Sequence, residues 1–349
     1  MPSYFDLSAT DQGELLAAAQ IQTGRSPSVL EKDIWLSCVL MALFSMPDRK
    51  AMAFKGGTSL SKVYSAIHRF SEDVDITIDY RELGCERSLA EMADMSRRQR
   101  DRIGMDLKAQ VREYTHERVQ PYLQARLQAL GCGDECAVTL SDDGENLHVL
   151  YPSRVADRGP YLRDHVLVEF GGRNIIEPNA MHTLEPDVAA LFPAVAFPRA
   201  EGVVVLALER TFWEKATLIH AECNRPINQG RERLSRHWYD LALLARHEAG
   251  QRALADLELL ADVIGLKEVF YRSGTTNYDQ CLAGALNLIP DAENRRMLAR
   301  DYQQMQRAGM LNGHVLPIEE IFNVLAAVQA QVNERVRRRG RCEKPCSSG

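Results

Sequence analysis

The sequence predicts an α+β fold, an α/β core flanked by helical segments, and three observations predict it. Residues 51–80 read as strand, glycine turn, helix and strand, with Phe54-Lys55-Gly56-Gly57-Thr58-Ser59-Leu60 at the turn and Asp73-Val74-Asp75-Ile76-Thr77-Ile78-Asp79 in the second strand. The run from Asp164 to Gly172 alternates apolar and polar positions as a half-buried strand does. The chain before residue 50, and from about 208 to 335, keeps apolar residues at helical spacing.

Residues 1–50 form an N-terminal helical segment. Ser28 with Glu31 makes a capping box that opens a helix over Val29–Phe44. Its buried face is expected to carry Leu30, Ile34, Cys38 and Met41, with Glu31, Lys32 and Asp33 pointing away. Residues 51–207 form the α/β core. In its second strand Val74, Ile76 and Ile78 face the interior while Asp73, Asp75 and Thr77 face the site, because side chains alternate along a strand. Ser88–Leu130 reads as one long helix, or two broken near Pro121. Cys136–Leu140 and Leu147–Tyr151 read as an antiparallel pair around a Ser141–Glu145 turn. Residues 173–202, punctuated by Pro178, Pro186, Pro193 and Pro198, are expected to wander as loops with short elements before a strand at Val203–Ala207. Residues 208–335 form a C-terminal helical lobe, and 336–349 a basic disordered tail.

The 349 residues, 45% hydrophobic and 26% charged, have the composition of an ordinary globular protein large enough for two or three packed units. The longest apolar runs are too short to span a bilayer and the N-terminus lacks a secretory pattern, so no membrane partner and a cytoplasmic location are expected. The eight cysteines form no compact framework and are expected as free thiols. A net charge of −6 argues against indiscriminate coating of nucleic acid, but three basic stretches stand out. They are the helix starting Arg97-Arg98, the group Arg225, Arg231, Arg233 and Arg236, and the tail from Arg335 to Arg341.

Asp73 and Asp75, two apart on a strand, aim two carboxylates at one point, and adjacent like charges call for a cation. A hard divalent ion with oxygen ligands, Mg²⁺ above all, fits that need. Gly56 and Gly57, ahead of a helix, let backbone approach a phosphate closely. Glu169, a single acid in an apolar strand, is the candidate third carboxylate, surface exposure being the alternative. Lys215, on the helix from Leu208 to Glu222, reaches toward a triphosphate, or is an ordinary surface lysine, or one paired with Thr211 or Glu222. Asp240 is an active-site carboxylate or one half of an i, i+4 pair with Arg236.

The segments GGTSL and RFSEDVDITID, together with VLEKDIWL, FWEKATLIHAE, SRHWYDLALLAR and Asp301–Met305 in that order, resemble the AbiEii/AbiGii-type, MenT-like nucleotidyltransferase toxins of type IV toxin–antitoxin and abortive-infection systems. The resemblance covers roughly residues 28–335. It implies a polymerase-β-like nucleotidyltransferase core with a mixed sheet. Gly56 and Gly57 would then hold phosphates, with Thr58, Ser59, Arg69 and Ser71 as further nucleotide contacts. Asp73 and Asp75 would hold Mg²⁺, with Glu169 as third ligand, and Lys215 and Asp240 would be the later active-site pair. The four side chains Asp73, Asp75, Lys215 and Asp240 are expected to converge on one cleft.

The implied activity is a toxin moving nucleotides from an NTP to an RNA acceptor, with tRNA 3′ ends the first choice, blocking growth until a cognate antitoxin neutralises it. The Arg97 helix and the Arg225–Arg236 group would contact the RNA backbone. Two other readings compete. One transfers the nucleotide to a protein hydroxyl, including Ser71 itself. The other is a non-catalytic module that binds nucleotide or antitoxin.

Overall fold

The computed structural model describes residues 1–132, 135–156, 162–225, 233–313 and 315–342, without the side chains of 131, 132 and 342. The chain divides into two compact units, and each is described by itself. The first comprises residues 1–63, 70–86 and 102–206, and the second residues 64–69, 87–101 and the chain from 207 onward. The division at 206/207 falls beside the expected start of the helical lobe, while the N-terminal helices belong to the same unit as the sheet.

The first unit is built on one mixed sheet of seven strands: β1 (Met52–Lys55), β2 (Asp73–Asp79), β3 (Ala137–Leu140), β4 (Asn146–Leu150), β5 (His165–Asn174), β6 (Asn179–Leu184) and β7 (Ala200–Leu206). Their order is β3-β4-β5-β2-β1-β7-β6. β2 runs parallel to β5 and β1 parallel to β7, while the other neighbours are antiparallel. The short helix α3 (Gly56–Lys62) leaves β1 directly. Val74, Ile76 and Ile78 are buried as expected, and so is Thr77. β6 was not expected: proline spacing suggests loop, and its residues are mostly exposed, so backbone pairing with β7 rather than an apolar pattern makes it a strand.

Helix α1 (Ala9–Thr23) and helix α2 (Pro27–Phe44) pack in this unit. The α2 cap differs from the expected box. Ser26 is the N-cap, accepting from the Val29 amide, and Pro27 fills the first turn, where its missing N–H costs nothing. Glu31, Lys32 and Asp33 do not point away either; all three are buried. Glu31 accepts from the Ser153 hydroxyl at 2.6 Å and the Arg154 amide at 2.5 Å. Lys32 donates to Glu72 at 2.7 Å, and Lys62 donates to Asp33 at 2.6 Å. Polar spacing misled here because a buried charge is tolerated when every one has a partner.

The expected long helix is three: α4 (Leu89–Ala93), α5 (Arg97–Tyr114) and α6 (Gln120–Leu127). A wide π-helical turn at Thr115–Val119 joins the last two, with Pro121 in the first turn of α6. The wider turn makes room for a ring that would clash inside a regular helix. At Gly172 of β5 a β-carbon would meet Leu83 at 2.3 Å and Val111 of α5 at 2.5 Å, so this face of the sheet is packed close against the helix.

In the second unit, helices α7 (Leu208–Cys223), α8 (Ser235–Arg246), α9 (Glu248–Ala255), α10 (Leu257–Phe270), α11 (Asp279–Leu282), α12 (Ala292–Arg307) and α13 (Ile318–Cys342) pack around Phe212, Trp213, Trp238 and Tyr239, all fully buried. α13 carries helix through residues 336–342 of the expected disordered tail, because its arginines have partners: Arg337 donates to the Gly284 carbonyl at 2.8 Å and Arg335 to the Leu254 carbonyl at 2.6 Å. Residues 343–349 lie outside the described residues. Cys38, Cys85, Cys136, Cys223 and Cys281 are free thiols. No helix among the described residues is long and apolar enough to cross a membrane.

Candidate active site

Two clusters of charged side chains account for the expected site residues, one in each unit. In the first, parallel pairing of β2 with β5 sets Asp75 opposite Glu169 and Asp73 opposite Leu167. Residues directly opposite share a face, so Asp73, Asp75 and Glu169 form one acidic patch. Glu169 is exposed by surface area yet hydrogen-bonds the Asp75 carboxylate. Burial and the Asp75 and Asp73 charges push its carboxyl up to about 8. Water still reaches Glu169, so the like-charge neighbours contribute most to that rise. Glu169 is therefore both exposed and part of the acidic group, which joins the two alternatives its sequence position left open.

Gly56 adjoins this patch for a steric reason. Its φ is +78°, and a β-carbon there would stand 1.8 Å from Asp75 Oδ2. Gly57 is buried in the first turn of α3. The Thr58 hydroxyl donates to the Asp73 carbonyl at 2.5 Å and the Ser59 hydroxyl to the Gly56 carbonyl at 2.9 Å, both residues being buried. The Thr58 hydroxyl thus pins the glycine turn to β2 and the Ser59 hydroxyl closes the turn on itself, and either would have to leave its carbonyl to donate to a phosphate. Ser71 is buried beside the pair.

Sequence reasoning missed Arg163, which donates to Asp73 Oδ1 at 2.6 Å. Its own backbone amide donates to Glu72 at 3.0 Å, and Glu72 is held by Lys32. Nothing in the sequence singles out an arginine ninety positions from its partner. Lys32 and Glu72 did leave a signal, since each is a charge inside a segment of family resemblance.

The donor chemistry of Asp73, Asp75 and Glu169 fits a hard divalent cation: three carboxyls share one face and the raised Glu169 pKa marks uncompensated negative charge. Among the described residues no three His, Cys, Asp or Glu side chains already stand as a ligand group. Arg163 pairs with Asp73 at the edge of the patch.

The second cluster centres on Asp240, which is fully buried. Arg69 grips it with two hydrogen bonds, Nε to Oδ1 at 2.6 Å and Nη2 to Oδ2 at 2.8 Å. Lys215 Nζ lies 2.9 Å from Oδ2. The expected i, i+4 partner Arg236 is not what holds Asp240. Burial alone would raise the Asp240 pKa, but Arg69 and Lys215 outweigh it and hold the carboxyl well below its usual range. Burial lowers the Lys215 pKa, and Arg69 acts in the same direction. Lys215 is therefore neither a surface lysine nor paired with Thr211 or Glu222. Two cations, Arg69 and Lys215, share the Asp240 carboxylate here.

Asp301, in another resemblance segment, accepts from the Arg233 and Ser235 amides at 2.8 and 2.7 Å and so caps the start of α8, the helix that carries Asp240. Of the second basic group, Arg225 pairs with Glu222, and Arg231 lies outside the described residues. In the first, Lys108 and Arg112 both pair with Glu145, at 3.0 and 3.1 Å.

A family model described as "Nucleotidyl transferase AbiEii toxin, Type IV TA system" matches residues 39–324. The chain is also similar to the solved structure of MenT4, a nucleotidyltransferase toxin from Mycobacterium tuberculosis H37Rv. There the identity is 20% and the TM-score 0.45, with 95% of this chain and 88% of that one covered. None of the curated proteins compared with it matches.

Proposed function

The chain belongs to the AbiEii nucleotidyltransferase toxin family of type IV toxin–antitoxin systems, and from that premise we propose that it transfers nucleotides from an NTP to an RNA acceptor, tRNA 3′ ends first among them. The observation that supports this reading best is the acidic patch: Asp75 opposite Glu169 on parallel strands, Asp73 on the same face, and Gly56 against Asp75.

Asp73, Asp75 and Glu169 are the residues that would hold Mg²⁺. When bound, such an ion neutralises charge on triphosphate oxygens and on the leaving pyrophosphate. An acceptor hydroxyl attacks the α-phosphorus. The new O–P bond forms as the α–β anhydride bond breaks, pyrophosphate departs, and one carboxylate of the patch takes the hydroxyl proton. The Gly56–Gly57 turn would set its backbone beside the phosphates, and Gly56 leaves Asp75 its place next to them. Arg69 and Lys215, which Asp240 holds in place, are the cations we assign to the nucleotide phosphates. Positioning and electrostatics supply most of the acceleration in such transfers. A cognate antitoxin is the partner that would restrain the activity.

The test is incubation with each labelled NTP, Mg²⁺ and total RNA, comparing the native chain with Asp73→Ala. Label on RNA that disappears with Asp73→Ala is the expected result. Label on the protein alone would favour self-modification, for which buried Ser71 is a poorly accessible acceptor. Label on neither, with host toxicity unchanged in Asp73→Ala, would leave the non-catalytic reading.

A further inference from the structure

The sheet face that holds the acidic patch carries more than the acids. Along β4 the buried residues are Leu147 and Val149, so Asn146, His148 and Leu150 point the other way. Along β5 one face takes Val166, Val168 and Phe170, and the other takes His165, Glu169 and, between them, Leu167, itself buried. The register joins these into rows: Asp75, Glu169 and Asn146 lie across from one another, Asp73, Leu167 and His148 form the next row, and His165 with Leu150 the one after. The carboxylates and the two histidines therefore share one surface.

The two imidazoles stack, with centroids 4.4 Å apart and ring planes at 30°. Asp164 fixes the His165 ring by a 2.8 Å contact at Nδ1. Both residues keep part of their surface in contact with solvent, and Leu150 beside them is 37% exposed, a large apolar side chain left open. A flat, partly exposed aromatic pair next to open leucine is a surface on which a nucleobase can lie, since every base has a π-face and histidine is among the side chains that take unstacked bases. Neighbouring strands lie about 4.8 Å apart, so His148 stands two strand spacings, roughly 10 Å, from Asp73. That separation suits a nucleotide whose reacting hydroxyl is at the carboxylates and whose base is on the rings.

We propose that His148 and His165 form the stacking platform for the terminal base of a single-stranded RNA acceptor, holding it beside the Asp73–Asp75–Glu169 patch. The proposal rests on the transferase reading given above. The platform recognises an unpaired end without reading its sequence, because stacking carries no hydrogen-bond code.

The experiment uses the full chain and two readouts. One is transfer from labelled NTP to RNA, with KM measured separately for acceptor and for NTP. The other is binding of a fluorescent single-stranded oligoribonucleotide without NTP. His148→Ala/His165→Ala should weaken oligonucleotide binding and raise acceptor KM by roughly 5- to 150-fold, the range for loss of one stacked base, with NTP KM unchanged. His148→Phe/His165→Phe keeps the rings and should stay within a few-fold of the native chain, which separates stacking from imidazole chemistry and from misfolding. The proposal is overturned if the alanine pair leaves acceptor KM and oligonucleotide binding unchanged, if NTP KM rises instead, or if the phenylalanine pair is as impaired as the alanine pair. Should the native chain transfer nothing to RNA, the function reading fails, and the oligonucleotide titration still decides whether the rings bind a strand.

Discussion

Gly56 and Asp75 occupy adjoining space so closely that a β-carbon on residue 56 would stand 1.8 Å from the Asp75 Oδ2 oxygen and 2.6 Å from its carboxyl carbon. The glycine is also at φ +78°, a conformation that L side chains avoid. The turn and the carboxylate are thus one device: the chain reverses into α3 at the only kind of residue that leaves Asp75 where β2 puts it.

Gly56→Ala should therefore cost activity out of proportion to stability. Backbone strain at such a position costs of order 1–3 kcal/mol, while the clash forces Asp75 off the line it shares with Glu169. The expected outcome is nucleotide transfer near the Asp73→Ala background with a folded protein by circular dichroism. Native-level transfer by Gly56→Ala would show that Asp75 tolerates displacement.

The Arg69–Asp240–Lys215 trio predicts the opposite balance, loss of stability along with activity. Truncating Asp240 leaves two buried cations facing each other, and removing one member of a buried ion pair costs about 3–5 kcal/mol. Asp240→Ala should lower the unfolding free energy by that amount, and Lys215→Met, which leaves Asp240 still paired with Arg69, should cost less. The pH dependence has a definite sign. The folded pKa of Asp240 is depressed from 3.8, so its stabilisation is fully present above about pH 4 and is lost as pH falls toward the folded value. The stability gap between the native chain and Asp240→Asn should narrow on that acid limb. A gap that stays constant there would contradict an ionised Asp240.

Cation binding should be visible without any turnover. A ligand that binds only the folded state raises stability by about 2.7 kcal/mol at a hundred times its dissociation constant. Thermal scans with and without Mg²⁺ should show an upward shift in the native chain that Asp75→Asn removes. Glu169→Gln should lose the shift too, yet without Mg²⁺ it should melt no lower than the native chain, since it mimics the protonated carboxyl. A full Mg²⁺ shift in Asp75→Asn would place the ion elsewhere.

How much of this was legible in the sequence depends on the distance over which each feature is determined. Asp73, Asp75, Gly56 and the alternation of β2 are local, and reading them needs only strand periodicity and glycine's freedom. Lys215 and Asp240 were within reach through family resemblance, but not the identity of their partner. Arg69 and Asp240 are 171 positions apart, and no local pattern links them. The same limit hid Arg163. The Glu31-Lys32-Asp33 error has a different origin: helical periodicity counts charge as exposed, whereas these three are buried and each has a partner that the sequence places far away. β6 escaped because its pairing depends on β7 and its own side chains carry no apolar alternation.

The Lys32–Glu72 pair turns that error into a test. Both side chains are almost wholly buried, and Glu72 immediately precedes the acidic strand. Glu72 accepts from Lys32 Nζ and from the amide of Arg163, so it ties α2 to the residue whose guanidinium lies on Asp73. Lys32→Met would strand a buried carboxylate and should cost about 3–5 kcal/mol. Lys32→Met/Glu72→Gln removes the stranded charge but keeps an acceptor for the Arg163 amide, so it should regain a good part of that loss. If the pair matters only for stability, the double variant should regain transfer activity in the same proportion. If it also sets Arg163 against Asp73, activity should stay low after stability has returned. Urea midpoints and transfer rates measured on the same three proteins distinguish the two. Equal stability of Lys32→Met and the native chain would mean that water reaches Glu72 once the lysine is gone.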